Sequence, residues 1–166
     1  MTRVPKSKSQ RRKDLVAQPP EFGFLSLVRD IVRANPQIPR IGRNLTLRDE
    51  AVRLGQEPFQ AFPNSNITQV QERPNGKLRV RSAFLGYFGP QGPLPLNTTA
   101  EVQQWYQFKD DAFVRFADLF TNRFQQLFFR AWSDARGISQ FDHPTQDRFQ
   151  AYVGAPIGLA LPALRD

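Results

Sequence analysis

Ser139, Asp142 and His143 are the residue types of a nucleophilic triad, and they fall within five positions of one another. That spacing defeats the chemistry, because nucleophile, base and orienting acid cannot be set in line by one short segment. His143 is instead expected to cap a helix beside Pro144. It is the one histidine, and there is no cysteine, so thiol catalysis, disulfides and a Cys/His zinc site are excluded. Only carboxylate oxygens remain as metal ligands. The pairs Asp49-Glu50 and Asp110-Asp111 are adjacent, so their side chains diverge, and the second pair suits the start of a helix. The glycines of GYFGPQGPLPL (86–96) match no phosphate-binding spacing and no lysine follows them. No catalytic, metal or cofactor site is expected, and the chain reads as non-enzymatic.

Positive charge is the other chemistry on offer. The 166 residues include 23 basic and 15 acidic side chains, a formal net charge of +8. Arg3, Lys6, Lys8, Arg11, Arg12 and Lys13 hold six of those charges with no acid among them, leaving 17 bases against 15 acids. The excess therefore belongs to a tail, and the body is close to neutral. Residues 1–20 are expected to be a disordered basic tail. A nucleic-acid-binding module using that tail and a basic strand is the alternative functional reading, with affinity that falls as salt rises. The basic start is not followed by an apolar run and no segment has membrane-span length, so a cytoplasmic protein is expected.

The body has the periodicities of an α+β fold, mainly helical, with a small antiparallel β-hairpin sheet and a Pro/Gly-rich connecting loop. Phe24, Leu27, Val28 and Ile31 mark one face of a helix ended at Asn35-Pro36, where Asn tolerates a left-handed position. Residues 36–51 read as irregular, and Val52 to Leu54 as a short strand. Ile67 to Arg73 forms a strand, Asn75-Gly76 a type I′ turn, and Lys77 to Tyr87 the return. On that return Leu78 and Val80 face inwards, and Lys77, Arg79 and Arg81 face solvent. Thr98 and Glu101 fit a capping box opening a helix to about Phe108. The longest helix follows from Asp110-Asp111 to about Arg136, and a last one opens at Pro144 and ends at Gly154. The expected organisation is tail 1–20, domain 21–158, and an irregular, truncated end over 159–166.

The chain carries 15 phenylalanines, and the long helix holds many of them. Phe113, Phe116, Ala117, Phe120, Phe124, Leu127, Phe128 and Ala131 recur at steps of three and four, a stripe that needs cover on two sides. Leu119 and Phe129 lie off it and Trp132 extends it. The loop over 86–96 is too apolar and proline-rich to stand free in water, with Leu94 and Leu96 expected to plug the core. Tyr87, Phe88, Leu119, Phe129 and Trp132 are the candidate partner-interface residues.

Five blocks carry a family resemblance: IPRIG (38–42), RDEAVRLGQEP (48–58), LGYFGPQGPLPL (85–96), LFTNRFQQLFFRAWSDAR (119–136) and FDHPTQDRFQAYVG (141–154). In order and spacing they resemble the N-terminal half of the type VI secretion baseplate protein family TssG, also called ImpH or VasB. The resemblance implies a non-enzymatic wedge subunit of a phage-baseplate-like platform. It implies assembly with TssF, contact with the sheath-like TssE, and docking of TssK trimers through protruding hydrophobic loops. It also implies a position at the cytoplasmic face of the inner membrane when assembled. Family members continue well beyond this point.

Overall fold

A helical run, then three short β-rich runs, then further helical ones follow one another in this chain, and the computed structural model resolves how they combine. It describes residues 13, 16–17, 23–44, 46–143 and 147–158. Apart from residues 13 and 16–17, the basic tail lies outside the described residues, as do Pro144 and the end over 159–166. Two compact units divide the chain, residues 1–127 and 128–166.

In the first unit, helix α1 (Phe24–Ala34) buries Phe24, Leu27, Val28, Ile31 and Val32, the face its periodicity marks. Its end differs from expectation. Asn35 is not left-handed (φ −125°); its side-chain amide donates to the Ile31 carbonyl at 2.8 Å, satisfying a carbonyl that the last turn leaves open. A 3₁₀ turn at Leu47–Asp49 leads into β1 (Val52–Gln56). Strands β2 (Ile67–Glu72) and β3 (Leu78–Ser82) complete a sheet of order β1-β3-β2.

The α+β class holds, but the sheet is mixed, not a bare antiparallel hairpin. β2 pairs antiparallel with β3, while β1 pairs parallel with it, Leu54 opposite Val80 and Gly55 opposite Arg81. A parallel partner contributed from 26 residues upstream leaves no turn signal in the chain, because the connection must cross the sheet. The hairpin turn also differs. Gly76 is left-handed (φ 73°) and Asn75 is not. The Gly76 N–H donates to Arg73 O at 2.8 Å and the Arg73 N–H to Lys77 O at 2.8 Å. This is a three-residue loop, a type I turn followed by a glycine bulge. Pro74 sets the φ that the first central position of such a turn requires.

Helix α2 spans Leu96–Gln107 and opens directly after Pro95, with no side-chain cap. The expected capping box is therefore displaced: Thr98 sits inside the first turn, two residues past the helix start. The neighbouring Thr99 is fully buried and its Oγ1 accepts from the Gly89 N–H at 3.4 Å. At the other end, Asp110 N donates to Trp105 O at 2.9 Å and Lys109 N to Tyr106 O at 3.1 Å. That is a Schellman closure, with Lys109 at the left-handed position (φ 66°) where glycine is usual. Helix α3 (Ala112–Asp134) begins where Asp110 Oδ1 accepts the Ala112 N–H at 3.1 Å.

The second unit holds the end of α3, α4 (Gly137–Phe141), α5 (Arg148–Gly154) and a 3₁₀ turn at Ala155–Ile157. Gly137 opens a helix here as well as following one. Asp147, not His143, caps α5, accepting the Gln150 N–H at 3.0 Å.

Among the described residues, Lys109 is the one helix-closing residue that works against its own stereochemistry. A side chain at a left-handed position costs about 1–2 kcal/mol, part of which glycine recovers against its larger unfolded-state entropy. Replacement of Lys109 by Gly is expected to raise the unfolding free energy by about 0.5–1 kcal/mol, read as a higher urea midpoint at unchanged slope.

Candidate protein–protein interface

Helix α3 presents its polar side chains to the sheet. Asp118 and Asn122 lie one turn apart, about 6 Å along the helix axis, and alternate N–H groups on a strand edge repeat at about 6.6 Å. The match is used directly: Asp118 Oδ1 accepts the Gln56 N–H at 3.1 Å and Asn122 Oδ1 accepts the Leu54 N–H at 2.9 Å. The helix therefore runs antiparallel to β1 and closes its open edge with side chains in place of another strand. One turn further on, Asn122 and Gln126 both donate to the buried Glu50 carboxylate, at 3.2 and 2.7 Å. Gln125 Nε2 donates to Ser82 Oγ at 2.6 Å and to the Phe84 carbonyl at 3.1 Å. Glycine is required in the strand beside this seam, since a Cβ on Gly55 would lie 2.5 Å from the Asp118 carboxylate.

Arg81 joins the seam to the central strand. Its guanidinium is 2.7 Å from Asp118 Oδ2, donates to the Gln56 carbonyl at 2.9 Å, and stands 6.0 Å from the Tyr106 ring centre. Only 3% of Arg81 is exposed, which corrects the solvated basic face expected of β3. Facing it across the parallel pair is Gly55, which leaves room for the Asp118 carboxylate to reach over the strand. Burial raises the Asp118 carboxyl above its ordinary pKa, the Arg81 charge offsetting only part of that effect. Burial and the charges of Arg81 and Arg73 lower Arg79 below the usual arginine value.

Gln56 carries this order into the Pro/Gly loop. Its Oε1 accepts the Phe88 N–H at 2.8 Å and its Nε2 donates to the Phe88 carbonyl at 2.9 Å. Gly86 lies so close that a Cβ there would meet Gln56 Oε1 at 2.2 Å. Held in this way, Phe88 is the centre of a small core with Val102, Val114 and Ala117, against which Tyr87, Leu94 and Tyr106 pack. The loop is thus a plug, but a different one from that expected. Phe88 fills the core and Leu94 flanks it, whereas Leu96 is exposed at the start of α2.

With the amide face turned inwards, the phenylalanine stripe of α3 faces out. Phe113, Phe116, Phe120, Phe124 and Leu127 are each between 38% and 57% exposed. Phe113, Phe116 and Phe120 form a ladder of ring contacts at 6.4 and 5.5 Å, and Tyr87 flanks Phe120 and Phe124 at 6.4 and 6.3 Å. Of the candidate interface residues, Leu119 is exposed, Tyr87 and Trp132 are half-buried, and Phe88 and Phe129 are interior. In the second unit Phe129 and Trp132 pack ring to ring at 5.9 Å. Gln56, Asp118, Asn122, Gln125 and Gln126 went unrecognised in the sequence. One signal was available: half of the polar positions of α3 from Asp118 to Gln126 (Asn122, Gln125 and Gln126) are amides, and no Lys/Glu pair of a solvated helix face occurs there.

Among the described residues no group of three or more His, Asp or Glu is placed to hold a metal ion, and no helix is long and apolar enough to cross a membrane. Ser139 is buried, and the His143 N–H closes the turn after α4 on Gln140 O.

These features define a class: an α+β domain built on a helix that seals a sheet edge, bearing the aromatic surface characteristic of assembly subunits. The family profile described as "Type VI secretion, TssG" matches residues 18–166. The chain belongs to the type VI secretion TssG family, and so to the components of the type VI secretion baseplate. Comparison with curated proteins and with solved structures returns no match.

The Arg81–Asp118 pair provides two tests. Arg81→Met strands the Asp118 carboxylate and is expected to cost about 3 kcal/mol or more at neutral pH by denaturant unfolding. The pH dependence has a defined sign. Because the folded carboxyl holds its proton more tightly than the unfolded one, its contribution to stability is full below the ordinary Asp range. It is lost as pH rises through the raised folded value. Asp118→Asn removes that titration, so the stability difference between wild type and variant should shift against the wild type as pH is raised from strongly acid to neutral.

Proposed function

We propose that the chain is a non-enzymatic structural subunit of the baseplate wedge, and that the outward face of α3 packs against helices of TssF. The observation that carries this reading is the inverted orientation of α3. Four phenylalanines and a leucine at helical spacing, each presenting roughly 100 Å² of ring or side chain, make an apolar patch of about 500 Å². Leaving that patch in water forgoes burial worth on the order of 10 kcal/mol, which a partner helix would recover in part.

TssK and TssE contacts belong to other surfaces. The family resemblance implies docking of TssK through protruding hydrophobic loops, and Phe62 fits that description. It lies between Ala61 and Pro63 on the loop joining β1 to β2 and is 76% exposed. The Gly86–Leu96 loop fits it less well, because Phe88 is committed to the interior. Nucleic-acid binding by the basic strand is disfavoured on the same structural ground: Arg81 is withdrawn into its pair with Asp118. Work at the cytoplasmic face of the inner membrane follows from this role.

The double variant Phe116→Asp/Phe120→Asp tests the interface. Both side chains are exposed, so the chain alone should keep its thermal midpoint within a few degrees and become more soluble. Co-purification with co-expressed TssF should be lost. A wild-type chain that stays monomeric at high concentration, or a double variant that still co-purifies with TssF, would sink the reading.

A further inference from the structure

Side chains alternate between the two faces of the sheet, and the strand register sorts them. Val52, Leu54, Val70, Leu78 and Val80 share one face and are all buried. The other face carries Arg53 and Gly55 of β1, Arg79 and Arg81 of β3, and Gln69 and Gln71 of β2. No acid stands among these strand positions. Arg53 lies directly opposite Arg79 across the parallel pair, a like-charge neighbour that costs stability and that folding does not call for. Arg73 lies two residues beyond Gln71 and stays in the ladder, its N–H bonded to Lys77 O at 2.8 Å. Burial, and then the charges of Arg81, Arg73 and Arg115, lower Arg79 below the usual arginine value.

Most of these cations already have an acid. Arg81 is 2.7 Å from Asp118, Arg115 is 2.7 Å from Asp111, and Arg53 has Glu50 at 4.0 Å. Arg73 and Arg79 have no ion-pair partner among the described residues. Both are half-buried, with part of their surface in solvent, and Gln69 and Gln71 are exposed beside them. Asp118 and Tyr106 close the Arg81 end of the face, so its open part runs along β2.

The chemistry of that open part selects its occupant. A guanidinium fork without an acid favours a carboxylate, to which it donates two parallel N–H bonds. Arginine is the cation that protein interfaces favour over lysine. Single-stranded nucleic acid would call for exposed aromatic side chains to stack on, and these strand positions hold none. Gln69, Gln71 and Arg73 repeat at about 6.6 Å, and a helix presents side chains one turn apart at about 6 Å. The chain uses the same match itself, where α3 lies along β1.

We propose that the polar face of the sheet along β2 docks an acidic helix of a partner protein, its carboxylates meeting Arg73 and Arg79.

The test is titration of the full-length chain into a labelled helical peptide of repeated Glu-Ala-Ala-Gln-Glu-Ala-Ala heptads, with a counterpart carrying Gln for Glu as control. Binding is read by fluorescence anisotropy at low salt. The basic tail is present in every arm, so dependence on Arg79 isolates the sheet. Wild type should bind the acidic peptide and not the neutral one. Arg79→Gln should weaken that binding about tenfold and Arg73→Gln several-fold. The urea midpoint of Arg79→Gln should be unchanged or higher, because a like-charge contact has been removed. Binding that Arg79→Gln leaves unaltered would assign the interaction to the tail and overturn the proposal. So would equal affinity for the neutral peptide, a lowered urea midpoint for Arg79→Gln, or an Arg79-dependent affinity for single-stranded oligonucleotide above that for the peptide.

Discussion

Two hydrogen bonds set the orientation of everything else: the oxygens of Asp118 and Asn122 on the N–H groups of Gln56 and Leu54. A strand edge presents donors at a fixed repeat, and an α-helix presents side chains one turn apart at nearly the same repeat. Once α3 satisfies the edge of β1, its rotation about its own axis is decided. The amides of Asn122, Gln125 and Gln126 must face the sheet, and the phenylalanines on the opposite side must face away. Apolar packing alone would permit the reverse arrangement. Directional bonds do not, because turning the helix would leave buried strand donors without partners and the Glu50 carboxylate with only the Arg53 guanidinium at 4.0 Å.

The same seam explains the loop. Gln56 ends β1, and its side chain grips both polar groups of the Phe88 peptide, so the strand that α3 caps also positions the plug of the adjoining core. Arg81 connects the central strand to this assembly through Asp118, Gln56 and Tyr106. Sheet, loop and the start of α3 therefore form one hydrogen-bonded body. That body holds the aromatic stripe of α3 as a rigid, preorganised surface, which lowers the ordering cost a partner must meet.

A baseplate subunit benefits from such a division. Polar groups that would ordinarily solubilise a helix are spent inside, where they specify register. The apolar residues that would ordinarily form a core are kept outside, where a partner can complete them. On the proposed reading, this arrangement ties the protein's burial to assembly, consistent with membership of a secretion-platform family.

The α+β class, the α1 face, the existence of the hairpin and the long helix were legible from periodicity and turn residues, because those signals are local. Boundaries such as the Pro95 start of α2 and the Asp147 cap of α5 were not, since several residues near each end have the chemistry to cap. What only the tertiary structure decided is which side of α3 is inside. Hydrophobic periodicity shows that a helix has two faces, and it assigns the apolar one to a core by default. The strand edge that reverses this assignment lies more than 60 residues away in the chain, and the parallel β1–β3 pairing that creates it has no local sequence signature. The residue types determined two unlike faces on that helix; the unpaired N–H groups of β1 determined which of them the protein keeps for itself.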